Sequence, residues 1–340
     1  MMENCKNLPK LDLNITNRCN YRCVHCAFDS GKKRTRELSL EQIARVLRET
    51  KELGGERIDI TGGEPLVRKD VDEIIRIGKD TGYRVELVTN GSLLTKNKLA
   101  NFQRLDLDSI AISLDGSNYE TYSRIRRTDR KTYEKVLQSI DQALSFGFIV
   151  KINTVAFQSN LQDLSNITKF CIDKGVKEHG IYYFTPIGRG VCGSEKAVEP
   201  LIWLDFVRNN LEQFKDKIKL SIEIPLIEKG KLGNKAGKEI RCIANAEKYH
   251  LQILPDGNTY PCAILASYNK PVANLAKSSV KDVWQSEALW KNYWQDISCL
   301  FGSMSNYCVD FRQAFNMKQY DLGRYDAVCP LRKFSVEDVL

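Results

Sequence analysis

No run of apolar residues in this 340-residue sequence approaches the ~18 that a membrane-spanning helix needs. The first ten residues carry Glu3, Lys6 and Lys10 and no apolar stretch of the kind that precedes a secretory cleavage site. Together these absences predict a cytoplasmic protein with no membrane partner. Histidine is scarce. Of His25, His179 and His250, the latter two have no partner spacing and read as structural or exposed residues. Low-complexity segments are absent, and nothing repeats with a short period apart from alternating strand and helix patterns.

Cysteine, by contrast, is abundant: eleven residues, an odd number. In a reducing compartment clustered cysteines read as metal ligands or catalytic thiols rather than disulfides. The length suits two domains, and the composition, 42% hydrophobic and 28% charged, is that of a soluble globular protein. The net charge of +8 is spread along the chain, with an enriched stretch from Lys215 to Lys248. That stretch reads as a solvated face or mobile loop, or as an attraction for an acidic substrate; no nucleic-acid partner is expected.

Short apolar strands alternate with helical patterns over the first two thirds. Strands are expected at 11–16, 57–61, 84–89, 109–114, 150–156 and 180–185. Helices are expected at 71–79, 96–103, 132–146, 161–174 and 201–215. Ser39, with Gln42 three residues on, is a capping-box signature for another helix, whose apolar stripe is Leu40, Ile43, Val46 and Leu47. Six βα units imply a parallel sheet with right-handed crossovers. They are too few for a closed eight-fold barrel, so the expected fold is α/β, a partial (β/α)6 TIM-like barrel over residues 1–216. A cysteine-rich extension would occupy 217–340. In it, 249–254 and 259–261 flank Pro255-Asp256-Gly257 as a hairpin, and a helix is expected at 280–294.

Cys19, Cys23 and Cys26 follow strand one directly. Three thiolates in one loop can hold three corners of a four-iron cubane and leave one iron open. The same loop could also build a zinc site on Cys23 and Cys26. Strand two runs into Gly62-Gly63-Glu64-Pro65, where paired glycines permit close approach of a ligand and Glu64 can receive an ammonium group. Strand three ends in Thr89-Asn90-Gly91, strand four in Ser113-Leu114-Asp115-Gly116. Polar groups thus gather at one end of four successive strands, where α/β barrels place their sites.

These motifs, over roughly residues 10–215, resemble the radical S-adenosylmethionine (SAM) superfamily. The resemblance implies that Cys19, Cys23 and Cys26 hold a [4Fe-4S] cluster whose open iron chelates SAM. Reduction by a donor such as flavodoxin or ferredoxin would then cleave SAM to a 5′-deoxyadenosyl radical. It further implies that Gly62, Gly63 and Glu64 bind the SAM amino group, that Asn90 joins the cofactor-binding set, and that Ser113 and Asp115 lie at the ribose or methionine moiety. Arg126, or Arg127 in its place, would pair with the carboxylate; Asn153 is a weaker candidate. His25 would pack against the cluster.

In the extension, Cys242, Gly257 and Cys262 resemble the element that opens SPASM and twitch extensions, which carry auxiliary iron–sulfur clusters. The later cysteine run of a full SPASM domain is incomplete here. The resemblance therefore implies one auxiliary [4Fe-4S] cluster, held by Cys242, Cys262, Cys308 and Cys329, with Cys299 as the alternative to Cys329. Among the other thiols, Cys5 lies at the terminus and Cys171 reads as core. Cys192 follows strand six as either an incidental loop residue or a hydrogen-atom donor.

Several relatives modify ribosomally made peptides by epimerisation, thioether or carbon–carbon crosslinks, and this is the first functional expectation. Only eighteen residues precede Cys19, so no N-terminal peptide-recognition domain is expected. The second is haem, tetrapyrrole or other cofactor biosynthesis, because Thr185–Gly190 and the strand-four region resemble haem, haem d1 and pyrroloquinoline quinone enzymes. Radical dehydrogenation of an alcohol is a third. A non-enzymatic iron–sulfur electron carrier or zinc-stabilised binding protein is the contrasting class.

Overall fold

The protein is described by a computed structural model covering residues 10–31, 36–228, 250–267, 269–301, 325–327 and 333–335. The βα alternation is present throughout the first part. In chain order it comprises β1 (Lys10–Asn14), α1 (Leu40–Glu52), β2 (Arg57–Thr61), α2 (Val71–Asp80), β3 (Arg84–Thr89) and α3 (Lys96–Arg104). Then come β4 (Ser109–Ser113), α4 (Tyr119–Arg126), α5 (Arg130–Ser145), β5 (Ile149–Ala156), α6 (Leu164–Lys174), β6 (Glu178–Tyr183) and α7 (Pro200–Phe206). A π turn (Val207–Leu211) interrupts the helix expected at 201–215.

The C-terminal elements are β7 (Lys219–Glu223), β8 (Leu226–Glu228), β9 (His250–Ile253), β10 (Asn258–Tyr260) and the short α8 (Ala263–Ser267). After them come β11 (Ala273–Asn274), α9 (Val280–Gln285), α10 (Glu287–Phe301), β12 (Tyr325–Ala327) and β13 (Lys333–Phe334). Ser286, in an extended conformation, splits the single helix expected at 280–294 into α9 and α10.

The main sheet has the order β11-β10-β9-β1-β2-β3-β4-β5-β6-β7-β13, and among the described residues its two ends are not joined. Strands β9 and β1 to β7 all run parallel, which extends the expected six by one strand at each edge. Both additions come from beyond residue 216, so the sheet runs across the boundary expected at 216/217. The partial barrel is therefore wider than the sequence pattern suggested, and the C-terminal segment supplies part of its wall.

Alternation along each strand separates two faces. Leu11, Leu13, Ile58, Ile60, Val85, Leu87, Ile110, Ile112, Val150 and Ile152 are buried in one core with Val46, Leu47, Ile74, Ile75, Phe102 and Ile140 of the helices. The other face is polar. Near the N-terminal ends of the strands, Lys10 bridges Asp12 and Asp59, Arg57 bridges Asp59 and Glu86, and Lys151 closes on Glu86. Burial pushes the Glu86 carboxyl up, but Arg57 and Lys151 outweigh it and hold it below the usual range. His250 of β9 reaches Asp12 at 2.7 Å, and Gln252 reaches Asn14 at 2.7 Å, so the added strand is bonded through side chains as well as backbone. No helix among the described residues is long and apolar enough to cross a membrane.

Candidate metal centre

The cysteine loop leaves β1 at its C-terminal end. Its neck is closed by the Gly31 amide on the Asn17 carbonyl at 2.8 Å and by the Ser30 hydroxyl on the Asn17 side chain at 2.8 Å. Within it, Cys23 is buried, and Cys19 and Cys26 are half-buried. Each sulfur faces one N–H donor. The Tyr21 amide donates to Cys19 at 3.3 Å, the Ser30 amide to Cys26 at 3.3 Å, and the Arg126 guanidinium to Cys23 at 3.7 Å. Burial pushes the Cys19 thiol up to about 12 and raises that of Cys23. The loop therefore disfavours bare thiolates yet supplies a donor to each one, a combination that suits sulfurs sharing their charge with iron. Among the described residues no three metal-ligating side chains converge on a single-ion position. A cubane does not require that, because each thiolate takes its own iron.

The glycines after β2 do something the sequence reading did not anticipate. A Cβ on Gly62 would lie 2.5 Å from the Thr16 carbonyl, and one on Gly63 would lie 2.3 Å from that of Arg18. What approaches these residues is the cysteine loop itself. The Gly63 amide donates to Thr16 at 2.7 Å and the Glu64 amide to Arg18 at 2.8 Å. The Glu64 carboxylate is fully buried and accepts from the Leu66 amide, the Thr89 hydroxyl and the Asn90 amide. Its side chain thus welds the ends of β2 and β3 together, and burial raises its pKa. Asn90 continues the chain of contacts by donating to Asn20 of the cysteine loop at 2.9 Å.

Ser113, the last residue of β4, sits opposite Asn153 in the middle of β5. Asp115 is fully buried. One oxygen accepts from the Val155 amide at 2.8 Å, and the other faces Arg126 Nε at 2.5 Å and His25 Nε2 at 3.7 Å. Arg126 is the buried member of the expected pair, and Arg127 is exposed at the left-handed end of α4. His25 packs on Phe157 with centroids 5.3 Å apart. Burial, reinforced by Arg126 and Arg189, lowers its pKa to about 4, so it is neutral near pH 7.

Three positioning residues were given no site role from the sequence, although Arg189 lies in the Thr185–Gly190 segment singled out there. Arg68 is buried and donates to the Ile15 and Leu38 carbonyls at 2.7 and 2.8 Å. Asn20 links the loop to β3, and Arg189 reaches it from the turn after β6. Cys192 lies in that same turn with its side chain exposed. Cys171 is buried on α6, as its apolar setting suggested. Cys262 is buried just after β10, where its sulfur accepts from the Leu265 amide at 3.4 Å. Cys5, Cys242, Cys308 and Cys329 lie outside the described residues, as does the Cys299 side chain.

Residues 13–171 match the family model described as the radical SAM superfamily. Residues 242–317 match the SPASM iron–sulfur cluster-binding domain; they include Cys242, Cys262, Cys299 and Cys308 and end before Cys329. The chain is 31% identical over 186 residues to an AdoMet-dependent heme synthase of Methanosarcina barkeri, which covers 54% of this chain and 53% of that protein. It thus spans about half the length of that relative. It is also 31% identical over 237 residues to a probable GTP 3′,8-cyclase of Methanocaldococcus jannaschii, covering 65% of this chain and 78% of that protein. Among solved structures, Streptococcus suis SuiB bound to S-adenosylmethionine is similar over 84% of this chain and 68% of its own, with a TM-score of 0.72 at 15% identity. SuiB bound to its precursor peptide SuiA gives 0.70, with 84% and 66% covered at 15% identity. anSMEcpe with AdoMet and the Cp18Cys peptide gives 0.62, with 84% and 82% covered, also at 15% identity.

Proposed function

Because the chain belongs to the radical SAM superfamily and carries an iron–sulfur SPASM domain, we propose that this enzyme modifies a ribosomally synthesised peptide by radical hydrogen abstraction. The observation that carries the reading is the fold likeness over 84% of the chain to two enzymes solved with peptides bound, SuiB and anSMEcpe. When bound, the cluster and SAM supply reductive cleavage to a 5′-deoxyadenosyl radical, and the protein's part is to hold and orient them. Cys19, Cys23 and Cys26 would hold the SAM-binding cluster. The Gly62–Glu64 backbone, pinned against the loop, would present its polar groups to the SAM amino group. Glu64 would act by fixing that backbone and Asn90, since its own oxygens are engaged. Ser113 would face the ribose. Asp115 would orient Arg126, whose charge is suited to the SAM carboxylate.

One auxiliary cluster, on Cys242, Cys262, Cys308 and Cys329, completes the reading, with electrons delivered by a flavodoxin- or ferredoxin-type carrier. Sequence identity to a heme synthase and a GTP cyclase supports a second reading, in which the substrate is a tetrapyrrole or another cofactor precursor. The test is anaerobic reconstitution with SAM and dithionite. 5′-Deoxyadenosine and methionine should form. Deuterium should then pass into 5′-deoxyadenosine from a deuterated candidate precursor peptide and not from a deuterated tetrapyrrole. Transfer from the tetrapyrrole alone would reverse the order of the two readings.

A further inference from the structure

We propose that Arg189 is a positioning residue for the metal centre, clasping the cysteine loop from the turn after β6 so that the loop's sulfurs are held ready for iron. One residue makes four contacts. Its amide donates to the Cys26 carbonyl at 3.0 Å. Its guanidinium donates to the Cys23 carbonyl at 2.8 Å, to the Ser30 carbonyl at 2.7 Å and to the Asp29 carboxylate at 2.7 Å. The acceptors span the loop from its second cysteine to its neck.

The preceding residue is shaped for this contact. Gly188 has φ +56°, and a Cβ there would lie 2.1 Å from the Ala27 carbonyl and 2.6 Å from that of Cys26. A side chain at 188 would push the turn off the loop. Arg189 is largely buried, with 13% of its side chain exposed, so water is a poor substitute for the lost partners. Asp29 balances its charge and sits at φ +44°, a backbone state that an aspartate tolerates better than most residues.

The consequence for the metal follows from geometry. Fixing the carbonyls of Cys23 and Cys26 fixes the backbone at two of the three thiol-bearing residues, and with it the direction in which each Cβ points. The planar fork of arginine reaches the Cys23, Ser30 and Asp29 acceptors from three separate nitrogens; lysine has its three donors on one nitrogen and cannot span the same positions. The guanidinium also places a positive charge beside the loop, and charge near an iron–sulfur cluster raises its reduction potential. The same turn carries Val191 and Cys192 outward, with Val191 67% exposed. The clasp therefore also fixes where these two residues stand relative to the metal.

The inference rests on the metal centre and is independent of which substrate is used. The experiment compares full-length wild type with R189A, R189K and G188A after anaerobic reconstitution. A triple Cys19, Cys23 and Cys26→Ala variant defines the iron that belongs elsewhere. Iron per chain, the rate of iron loss to a chelator, the EPR-monitored midpoint potential and the apo-protein melting temperature are measured. R189A should lose the loop's iron about 10–100-fold faster, the usual effect of removing a residue that orients ligands, with a more negative potential and little change in melting. R189K should keep a potential near wild type yet lose iron quickly. G188A should also lose iron quickly with the arginine intact. Wild-type iron retention in R189K and G188A would overturn the proposal, whether or not R189A folds. Full iron retention without SAM cleavage would count against the enzymatic reading instead.

Discussion

The Glu64 carboxylate accepts from two amides and one hydroxyl in a fully buried position. An amide in its place must turn an NH2 toward a backbone N–H, and nothing nearby relieves that clash. E64Q is therefore expected to cost about 1–3 kcal/mol of stability, measurable by denaturant unfolding of the apo protein; an unchanged midpoint would contradict the bonding described. His179 offers a second test. It is fully buried between the hydroxyls of Thr154 and Thr168, at 2.9 and 3.0 Å, and burial lowers its pKa to about 3. The unfolded chain binds a proton near pH 6.5 that the native state refuses. Its contribution is thus complete above that pH and lost as pH falls toward 3, at up to about 1.4 kcal/mol per pH unit. H179Q should flatten the pH dependence of stability between pH 6 and 5 by that amount, and an equal slope in both proteins would refute a neutral His179. That thiols, paired glycines and strand-end acids gather at one end of the sheet was legible in the sequence, because they follow the strands at short spacing. Their division of labour was not: that Glu64 and Asp115 are consumed by protein donors depends on residues 25 and 40 positions away.

Apart from α4, strand and helix positions from β1 to α6 follow from hydrophobic period, with ends shifted by one to three residues, the largest shift where a 3-10 turn at Leu161–Asp163 precedes α6. The Ser39–Gln42 capping box is formed as the sequence suggested. By contrast, α4 went unrecognised because it is short and charged, although Asn118, which caps it by accepting from the Thr121 amide, was a usable signal. Strand β9 was illegible as a sheet member because its partner β1 lies 240 residues away; β7 was missed although it is only 41 residues from β6, no farther than β2 is from β1. Side-chain ties hold the C-terminal elements to the barrel. Arg45 of α1 donates to the Leu275 and Ser278 carbonyls, and Glu49 accepts from the Val280 amide. R45A should accelerate hydrogen exchange across 273–285 while leaving β3 to β6 protected, as mass spectrometry would show. Uniform protection would mean that these ties contribute little to docking.

At the scale of the whole molecule, the C-terminal segment is part of the barrel. β9 pairs with β1 along Lys10–Leu13, and His250 and Gln252 satisfy Asp12 and Asn14. A chain ending at residue 228 would strip the first strand of its neighbour and leave an unpaired edge beside buried polar groups. Such a protein should be recovered mainly as aggregate, judged by soluble yield and size-exclusion profile; a monodisperse product with native-like far-UV circular dichroism would support two independent domains instead. The clasp at Arg189 carries a consequence in time. The cysteine loop is complete by residue 31, but the turn that grips it is made some 160 residues later. At a synthesis rate of about 5–20 residues per second, the loop waits roughly 10–30 s on the ribosome before its gripping turn exists. Iron and sulfide delivered to a finished pocket must therefore arrive after β6 has emerged, which makes cluster loading a late event in the life of the nascent chain.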